Sequence, residues 1–390
     1  MFEDLRYLVI GSGFSGAVLA ERIASGLGEP VLVLEKRDHT GGNSWSSAEP
    51  ETGIECHWYG SHIFHTRHAD VWDYIRRFGE FTGYRHRVMT EHAGRVFSMP
   101  ISLDTINAFY GKSLKPYEVE AFIRKEAASA GVSEPRNLEE KAVSLIGRPL
   151  YEALIKGYTR KQWNRDPREL PAAIINRLPV RADYNTCYFS DPYQGVPVDG
   201  YGRLVARLLA HERITVRTGV DFDGELRHLA AARPDLTVIY TGMIDRYFDW
   251  CYGELEWRSL RFEFETVNVR DYQGVSVMNY ADADVPYTRI HEFKHYHPER
   301  TEAFACAKSV ICREYPLDHA AGREPYYPVN SAANQALYAR YRQRADSLRK
   351  VIFCGRLGTY AYCDMDVAVK QALDIFARDI APGGRLWTTK

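Results

Sequence analysis

A glycine-rich segment near the N-terminus has the composition and spacing of a dinucleotide-binding turn. It reads Gly11-Ser12-Gly13-Phe14-Ser15-Gly16 and lies between a predicted strand and a predicted helix. Glycine is needed there for the tight turn, for close approach of the backbone to a pyrophosphate, and for packing of the helix on the sheet. Glu35 ends the next predicted strand, where a carboxylate accepts hydrogen bonds from ribose hydroxyls. A dinucleotide site is favoured over the alternative, a glycine-rich turn beside a solvated Glu35.

Two further segments favour FAD over NAD as the dinucleotide. Gly41-Gly42-Asn43 supplies a second glycine turn suited to a longer dinucleotide. The segment 354–358 follows a predicted strand and precedes the terminal helix. The amide groups at the N-terminus of that helix would stabilise a nearby anion such as reduced flavin, whereas a nicotinamide would not need them.

A segment in the middle of the chain combines aromatic and cationic side chains. It reads Gly157-Tyr158-Thr159-Arg160-Lys161-Gln162-Trp163. Tyr158 and Trp163 are suited to stacking on a uracil and a sugar, while Arg160 and Lys161 face phosphate or solvent. The end of an amphipathic helix is the alternative explanation for the same residues.

Four arginines and a set of histidines are further candidates for a site. Each arginine lies among apolar or aromatic neighbours and therefore needs an anionic partner, either an acidic side chain or a ligand phosphate. The sequence leaves both kinds of partner open for Arg177, Arg258, Arg261 and Arg289. The spacing of the histidines permits a zinc site, but hydrogen-bonded histidines with a structural role are favoured, so no metal is predicted. The histidines concerned are His57, His62, His65, His68, His291, His295 and His297. The sequence holds no GxSxG motif and identifies no protein nucleophile.

The elements that must position these residues follow from hydrophobic periodicity. Residues 5–36 are predicted to form a strand, a turn, a helix and a second strand, and residues 198–210 and 236–241 return to α/β character. Residues 104–163 are predicted to be helical. Alternation predicts strands between 257 and 315, including Ala305-Cys306-Ala307, and the chain ends with a strand over 351–354 and a helix over 364–380.

These elements predict an α/β protein with a split Rossmann-like FAD-binding domain, an inserted helical bundle and an antiparallel β-sheet domain. The FAD-binding domain is assigned to residues 1–78, 199–246 and 347–390. The helical insert spans residues 101–176. The sheet domain is assigned to residues 79–100, 177–198 and 247–346.

Composition excludes several classes of protein. The 390 residues carry a formal charge of −1, which argues against a protein that coats nucleic acid. The acidic N-terminus is unlike a signal peptide, and no apolar run reaches the length of a membrane span. The seven cysteines include no CxxC pair, as expected for reduced thiols. We therefore expect a cytoplasmic protein with no membrane partner.

Taken together, the motifs resemble one family, the prokaryotic UDP-galactopyranose mutases. The matching segments occur in order along essentially the whole chain: GSGFSG at 11–16, GGN at 41–43, GSHIFHT at 60–66, GYTRKQW at 157–163, RSLRFE at 258–263, PYTRIHEFKH at 286–295, REYP at 313–316, PYYP at 325–328 and GRLGTYAYCDMD at 355–366. The last segment and GYTRKQW are far more specific than the glycine-rich turn, which many flavoproteins share.

The resemblance implies an isomerase that interconverts UDP-galactopyranose and UDP-galactofuranose with no net redox change. In the implied mechanism N5 of reduced FAD attacks the anomeric carbon while UDP departs, which accounts for the missing protein nucleophile. The family further implies supply of galactofuranose for cell-surface glycans, NADH or NADPH as a transient reductant, and a homodimer or higher homo-oligomer.

The resemblance also implies roles for individual residues. Those implied to act in catalysis are Arg177, Arg289, His65, Tyr362 and Asp364. Those implied to bind the substrate are Tyr158, Thr159, Trp163, Arg177, Tyr188, Arg258, Arg289, Tyr327 and Tyr362. Those implied to bind the cofactor are Gly11, Gly13, Phe14, Ser15, Gly16, Glu35, Lys36, Gly42, Asn43, His62, Ile63, Val220, Gly242, Arg356, Asp364 and Met365.

The sequence departs from the family pattern at two places. Residues 60–62 read Gly-Ser-His where Gly-Pro-His is expected, and residues 296–325 form a long connection. Two other functions compete with the mutase: a flavin oxidoreductase of the amine-oxidase type, and a non-catalytic flavoprotein that binds nucleotide sugars. The cluster of arginines and tyrosines argues against the oxidoreductase, because an apolar amine site does not need phosphate-binding groups.

Overall fold

The computed structural model describes residues 5–177 and 180–381; the side chains of Asn176 and Arg177 lie outside the described part. The strands are β1 (Tyr7–Ile10), β2 (Val31–Leu34), β3 (Ser46–Ala48), β4 (Glu55–His57), β5 (Phe64–Thr66), β6 (Val88–His92), β7 (Arg95–Met99), β8 (Tyr193–Gly195), β9 (Ile214–Arg217), β10 (Thr237–Tyr240), β11 (Trp257–Val267), β12 (Val277–Tyr280), β13 (Arg289–Glu292), β14 (Ser309–Asp318), β15 (Tyr327–Pro328) and β16 (Val351–Phe353). The helices are α1 (Phe14–Leu27), α2 (Ala69–Ile75), α3 (Leu103–Tyr110), α4 (Pro116–Ala128), α5 (Leu138–Ile146), α6 (Arg148–Leu150), α7 (Gly157–Trp163), α8 (Gly200–Leu208), α9 (Gly224–Ala231), α10 (Ile244–Tyr247), α11 (Thr301–Ala305), α12 (Ala332–Asp346), α13 (Gly355–Gly358) and α14 (Met365–Ile375).

A five-stranded parallel sheet in the order β16-β10-β1-β2-β9 forms the nucleotide-binding part of the fold. Its central strand β1 is a short apolar run, as expected for a strand covered on both faces, and Val9 pairs with Ile239 and Val33. Helix α1 packs against this sheet and ends at Gly28, whose φ of 69° suits glycine at a helix C-cap. The predicted strand–turn–helix–strand unit is confirmed.

A second sheet of seven strands runs in the order β15-β11-β14-β13-β12-β6-β7. Its pairs are antiparallel except β12 with β6, which run parallel. The predicted strand alternation is confirmed along β11, where residues 261, 263 and 265 lie toward solvent. The strand predicted at Ala305-Cys306-Ala307 is wrong, because residues 301–305 form α11 and Cys306 ends that helix.

Helices α3 to α7 lie between β7 and β8 in the sequence, as predicted for residues 104–163. Helix α5 begins at the N-cap Asn137, whose side chain accepts a hydrogen bond from the Glu140 amide. Its buried face, formed by Leu138, Ala142, Val143 and Ile146, belongs to the apolar core of this region. Within the described ranges, no helix is long and apolar enough to cross a membrane.

Candidate active site

The glycine-rich turn after β1 brings backbone atoms into contact where no side chain fits. Gly11 has a φ of 95°, and a Cβ on Gly16 would lie 2.0 Å from the Gly11 carbonyl oxygen. The second glycine turn packs against the first, because a Cβ on Gly42 would lie 3.0 Å from Gly13 Cα. The two turns therefore leave open backbone at the carboxyl edge of the parallel sheet, where dinucleotides bind in such folds.

Glu35 is buried and bonded to the glycine-rich turn. Its carboxylate accepts hydrogen bonds from Ser12 N at 2.9 Å and Ser12 Oγ at 2.6 Å, and from Arg37 N at 3.0 Å. The alternative of a solvated Glu35 is therefore wrong. Lys36 instead pairs with Glu324 at 2.7 Å, near the surface.

Arg37 is a candidate that sequence reasoning missed. Its Nη2 donates to Asn43 Oδ1 at 2.7 Å, and its guanidinium lies 4.0 Å from the centre of the Tyr59 ring. Within the described ranges, its Nη1 is buried and has no hydrogen-bond partner. A buried donor without a partner beside two glycine turns fits an anionic group of a bound dinucleotide. Its position directly after Glu35-Lys36 was the available sequence signal.

Three other predicted cofactor residues, Ser15, Val220 and Gly242, lie near the same edge. Ser15 meets the start of α13, since a Cβ on Gly355 would lie 3.1 Å from Ser15 Oγ. The Val220 amide donates to the Glu35 carbonyl at 2.9 Å, and Phe14 packs edge-on against Phe64. Gly242 follows β10, close to the Tyr240 ring, and Ile63 is buried.

The segment after α13 joins this edge to the second group of candidates. Arg356 donates to the carbonyls of Tyr326 and Cys363, and its guanidinium lies 4.6 Å from the centre of the Tyr362 ring. Asp364 is the N-cap residue of α14, which begins at Met365, and its side chain makes no capping hydrogen bond. The side chain of Asp364 is therefore not committed to the helix.

Arg289 is the central cation of the second group. It lies opposite Glu314 across β13 and β14, with 3.4 Å between Nε and Oε1, and its Nη2 donates to the Tyr158 hydroxyl. Burial alone lowers the pKa of Arg289, but the Glu314 carboxylate and the surrounding tyrosines outweigh it and hold that pKa well above its usual range. Arg289 is therefore a permanent cation.

Tyrosine hydroxyls surround this cation. Burial raises the pKa of Tyr158 and of Tyr327, so both keep their protons at neutral pH and remain hydrogen-bond donors. Tyr327 stacks on Tyr362 with 5.8 Å between ring centres, and the Tyr188 amide donates to the His86 carbonyl at 2.7 Å. The predicted tyrosines are thus brought together around Arg289 and Arg356.

Helix α7 carries Tyr158, Thr159 and Trp163. Thr159 is buried, and Trp163 packs against the apolar core of the helical region. The interpretation that Lys161 faces phosphate or solvent is wrong, because its Nζ donates to backbone carbonyls of β12 and of the turn that follows it. Arg177 ends a short helix, Ala172–Arg177, and its side chain falls outside the described residues.

Arg258 is tied to protein groups at the end of α7. Its side chain is 4% exposed, pairs with Asp318 and donates through Nε to the Gln162 carbonyl at 3.1 Å. Of the two partners that the sequence left open for this arginine, the structure shows an acidic side chain. Its contact with substrate stays a prediction.

Two predicted histidines lie on the segment 60–66. The Nδ1 of His62 donates to the Gly60 carbonyl at 2.7 Å, and burial lowers the His62 pKa to about 4. His65 stacks on Phe189 with 3.6 Å between ring centres, and its Nδ1 lies 2.7 Å from Asp191 Oδ2. Sequence reasoning missed Phe189 and Asp191, which lie far away along the chain.

Comparison with known proteins places these residues in one family. A family model described as UDP-galactopyranose mutase matches residues 153–362, the segment that holds Tyr158, Arg289 and Tyr362. A probable UDP-galactopyranose mutase from Klebsiella pneumoniae is 42% identical over 94% of this chain and 92% of its own length. The chain belongs to the UDP-galactopyranose mutase family. Its members are isomerases. The match of the family model and of this relative confirms the resemblance seen in the motifs.

Other similarities agree with this family. A model described as an NAD(P)-binding Rossmann-like domain matches residues 9–78, which contain both glycine turns. A dTDP-fucopyranose mutase from Escherichia coli is 38% identical over 95% of this chain and 97% of its own length. A solved structure of a reduced UDP-galactopyranose mutase aligns with a TM-score of 0.71 over 97% of each chain at 15% identity, which shows the shared fold. The predicted fold class is confirmed.

Proposed function

We propose that this member of the UDP-galactopyranose mutase family interconverts UDP-galactopyranose and UDP-galactofuranose. The observation that carries the proposal is Arg289, a half-buried cation that donates to the Tyr158 hydroxyl and whose pKa is also raised by Tyr188 and Tyr327 nearby. A fixed cation among neutral hydroxyl donors suits a diphosphate, whose negative charge grows as it leaves the sugar. An apolar amine would gain nothing from such a site.

We propose FAD as the cofactor. The open backbone at the two glycine turns fits a dinucleotide, and so does Nη1 of Arg37, which has no hydrogen-bond partner within residues 5–177 and 180–381. Arg356, whose guanidinium lies over the Tyr362 ring, and Asp364 are proposed to face its flavin end. Reduced FAD, when bound, supplies N5 as the nucleophile for the anomeric carbon. NADH or NADPH is proposed as the transient reductant, and failure of both to bleach the flavin would refute that part.

The family resemblance supports roles for the remaining predicted residues. Arg289 and Arg177 stabilise charge on the departing diphosphate, and the hydroxyls of Tyr188, Tyr327 and Tyr362 donate to it. Tyr158 stacks on the nucleobase, while Trp163 closes over the sugar side. His62, which its low pKa keeps neutral, and His65, which Phe189 and Asp191 orient, lie toward the flavin.

The domain assignment remains part of the proposal. Residues 1–78, 199–246 and 347–390 would hold FAD, since the five parallel strands fall within these ranges. Residues 101–176 would form the helical insert, with the mobile substrate loop that the family implies. Residues 79–100 and 247–346 would contribute the second sheet, and residues 177–198, whose strand β8 pairs with β5, are assigned to the same domain. A cytoplasmic location is proposed because all seven cysteines are free thiols.

A second substrate is favoured by the similarity to dTDP-fucopyranose mutase. This chain aligns with 97% of the length of that relative at 38% sequence identity. The identity is close to the 42% found with the Klebsiella pneumoniae protein. dTDP-fucopyranose carries the same diphosphate but lacks the 6-hydroxyl and the ribose 2′-hydroxyl, and its base bears a methyl group. The diphosphate site therefore suits both substrates.

Anaerobic conversion of UDP-galactofuranose, with and without dithionite, tests the proposed activity. Chromatographic detection of UDP-galactopyranose only in the reduced sample would support both the reaction and the role of reduced flavin. A parallel reaction with dTDP-fucofuranose ranks the two substrates by kcat/KM. No conversion of either substrate, despite bound yellow FAD, would favour a flavin oxidoreductase, and the search would turn to compounds that bleach the flavin.

Two further parts of the proposal concern assembly and cellular role. A homodimer or higher homo-oligomer is proposed from the family, and light scattering of the purified protein measures its mass against the 44.7 kDa chain. Supply of galactofuranose for cell-surface glycans is the proposed cellular role. Loss of galactofuranose from surface glycans after deletion of the gene tests that role.

A further inference from the structure

Lys161 binds one backbone carbonyl of β12 and two of the turn that follows it. Its Nζ donates to the carbonyl of Tyr280 at 2.8 Å, that of Asp282 at 2.8 Å and that of Tyr287 at 3.0 Å. Tyr280 ends β12, and the other two residues belong to the β12–β13 turn, defined here as residues 281–288. An ammonium has three N–H donors and no acceptor, so this arrangement uses its full hydrogen-bonding capacity.

Gly157 brings the start of the same helix against the same turn. A Cβ on Gly157 would lie 2.2 Å from the Ala281 carbonyl oxygen and 3.3 Å from the Ala283 amide nitrogen. Gly157 and Lys161 are four residues apart, so they lie on one face of α7. The helix is therefore attached to the β12–β13 turn at two successive levels, by close backbone contact and by the ammonium.

The two attached elements each carry a group of the candidate substrate site. Helix α7 carries Tyr158, and β13 begins with Arg289 directly after the turn. Arg289 Nη2 donates to the Tyr158 hydroxyl, so the two side chains meet on the substrate side of the attachment. A displacement of α7 along the turn would separate them.

We propose that Lys161 is a positioning residue that holds α7 on the β12–β13 turn and thereby sets the geometry of Tyr158 and Arg289. The three carbonyls demand the charged ammonium rather than a neutral side chain of similar length. The proposal rests on the proposed function, because Tyr158 and Arg289 are assigned there to the nucleotide and its diphosphate.

The charge state of Lys161 changes in an accessible pH range. Burial lowers its pKa to about 8, although the carboxylates of Asp282 and Asp284 act in the opposite direction. Above that pH the neutral amine has two N–H donors and a lone pair, so one of the three carbonyls loses its partner. The attachment should therefore weaken as the pH rises through about 8.

Other charged groups on neighbouring elements have partners of their own. His92 on β6 binds Asp282, and Arg258 on β11 binds the Gln162 carbonyl. The charged groups on the elements around α7 include Glu91 and His92 on β6, Arg258 on β11, Arg289 on β13, Glu314 and Asp318 on β14, and Glu152 and Lys156 just before α7.

The variants Lys161→Met and Lys161→Arg, with Lys156→Met as matched control, test the proposal. Lys156 lies just before α7, is 38% exposed and has only a distant contact with Glu152, at 4.0 Å. We expect Lys161→Met to weaken UDP binding and to lower kcat/KM for UDP-galactofuranose about tenfold or more, since charged hydrogen bonds to three carbonyls are lost. Lys161→Arg should stay within about threefold of the wild type because it keeps the charge and the donors.

The pH profile separates positioning from a merely structural role. We expect UDP affinity of the wild type to fall above about pH 8, and Lys161→Arg, which stays charged, to lack this decline. Wild-type UDP affinity in Lys161→Met would overturn the proposal. If Lys161→Met instead loses flavin or unfolds, Lys161→Arg decides the question. A fall of UDP affinity above about pH 8 in Lys161→Arg equal to that in the wild type would overturn the proposal.

UDP binding also separates this proposal from the proposed function. A wild type that binds UDP but converts neither nucleotide sugar would refute the mutase activity, while the UDP affinities of the variants still decide the role of Lys161. A wild type that does not bind UDP at all would overturn both proposals.

Discussion

Arg289 and Glu314 face each other across two antiparallel strands, with 3.4 Å between the guanidinium Nε and the carboxylate Oε1. The Glu314 side chain is 3% exposed, and its other oxygen lies 3.1 Å from His291 Nε2. Burial alone raises the Glu314 pKa, but Arg289 and His291 outweigh it and hold that pKa below its usual range. Because the ion pair uses Nε, the terminal nitrogens of Arg289 lie toward Tyr158 and the substrate side.

Arg289→Ala should abolish most activity while leaving FAD bound. The change removes the cation that we align with the leaving diphosphate, and such groups contribute about 100-fold or more to kcat. Anaerobic assays with dithionite, together with the flavin absorbance of the purified variant, measure both effects. Arg261→Ala is the matched control, because Arg261 is 50% exposed and pairs with Glu263 on its own strand. Near-wild-type kcat in Arg289→Ala would contradict the assignment.

Glu314→Gln should destabilise the unliganded protein more than the UDP complex. The neutral amide leaves the Arg289 charge without its counterion, at a cost of about 2 kcal/mol, since Arg289 keeps 26% of its side-chain surface exposed. A bound diphosphate replaces the missing negative charge, so UDP should raise the melting temperature more in the variant than in the wild type. Equal UDP-induced shifts in the two proteins would show that the carboxylate and the diphosphate do not share the guanidinium.

The difference between Glu35 and Glu314 shows how far the sequence could predict this site. Glu35 follows the glycine-rich turn within one βαβ unit, so its distance along the chain gives its place in space. Glu314 and Arg289 meet because of the register between β13 and β14, which local periodicity does not fix. The carbonyl partners of Lys161 depend likewise on how α7 packs on a distant turn. The motifs identified the family and most side chains, while the contacts between elements required the structure.

Arg37→Met should lower the flavin content of the purified protein. Its buried Nη1 has no partner among the described residues and is placed beside the two glycine turns. Methionine keeps part of the apolar stem against Tyr59 but removes the charge, and an unpaired phosphate contact costs about tenfold in affinity. FAD titration of the deflavinated protein gives the affinity. Arg6→Met is the control, since Arg6 forms an exposed pair with Glu29, and equal FAD affinity in both variants would contradict the role of Arg37.

His86 should make the protein less stable as the pH falls below 6.5. Burial, followed by the charges of Arg289 and nearby histidines, lowers the pKa of His86 from its ordinary 6.5 to about 3. Between these values the unfolded chain binds a proton that the folded chain does not, so the free energy of unfolding falls with decreasing pH by about 1.4 kcal/mol per pH unit. The contribution of His86 is fully present above pH 6.5, and it is lost progressively toward pH 3.

His86→Gln removes this proton-binding difference and should flatten the pH dependence. Urea unfolding at pH 6.5 and pH 5 measures the loss of stability in each protein, and the variant should lose up to about 2 kcal/mol less than the wild type over this interval. The comparison is between slopes, so a general loss of stability from the substitution does not affect it. His228→Gln, at an exposed position, should keep the wild-type slope. An unchanged slope in His86→Gln would mean that His86 takes up its proton in the folded protein as readily as in the unfolded chain.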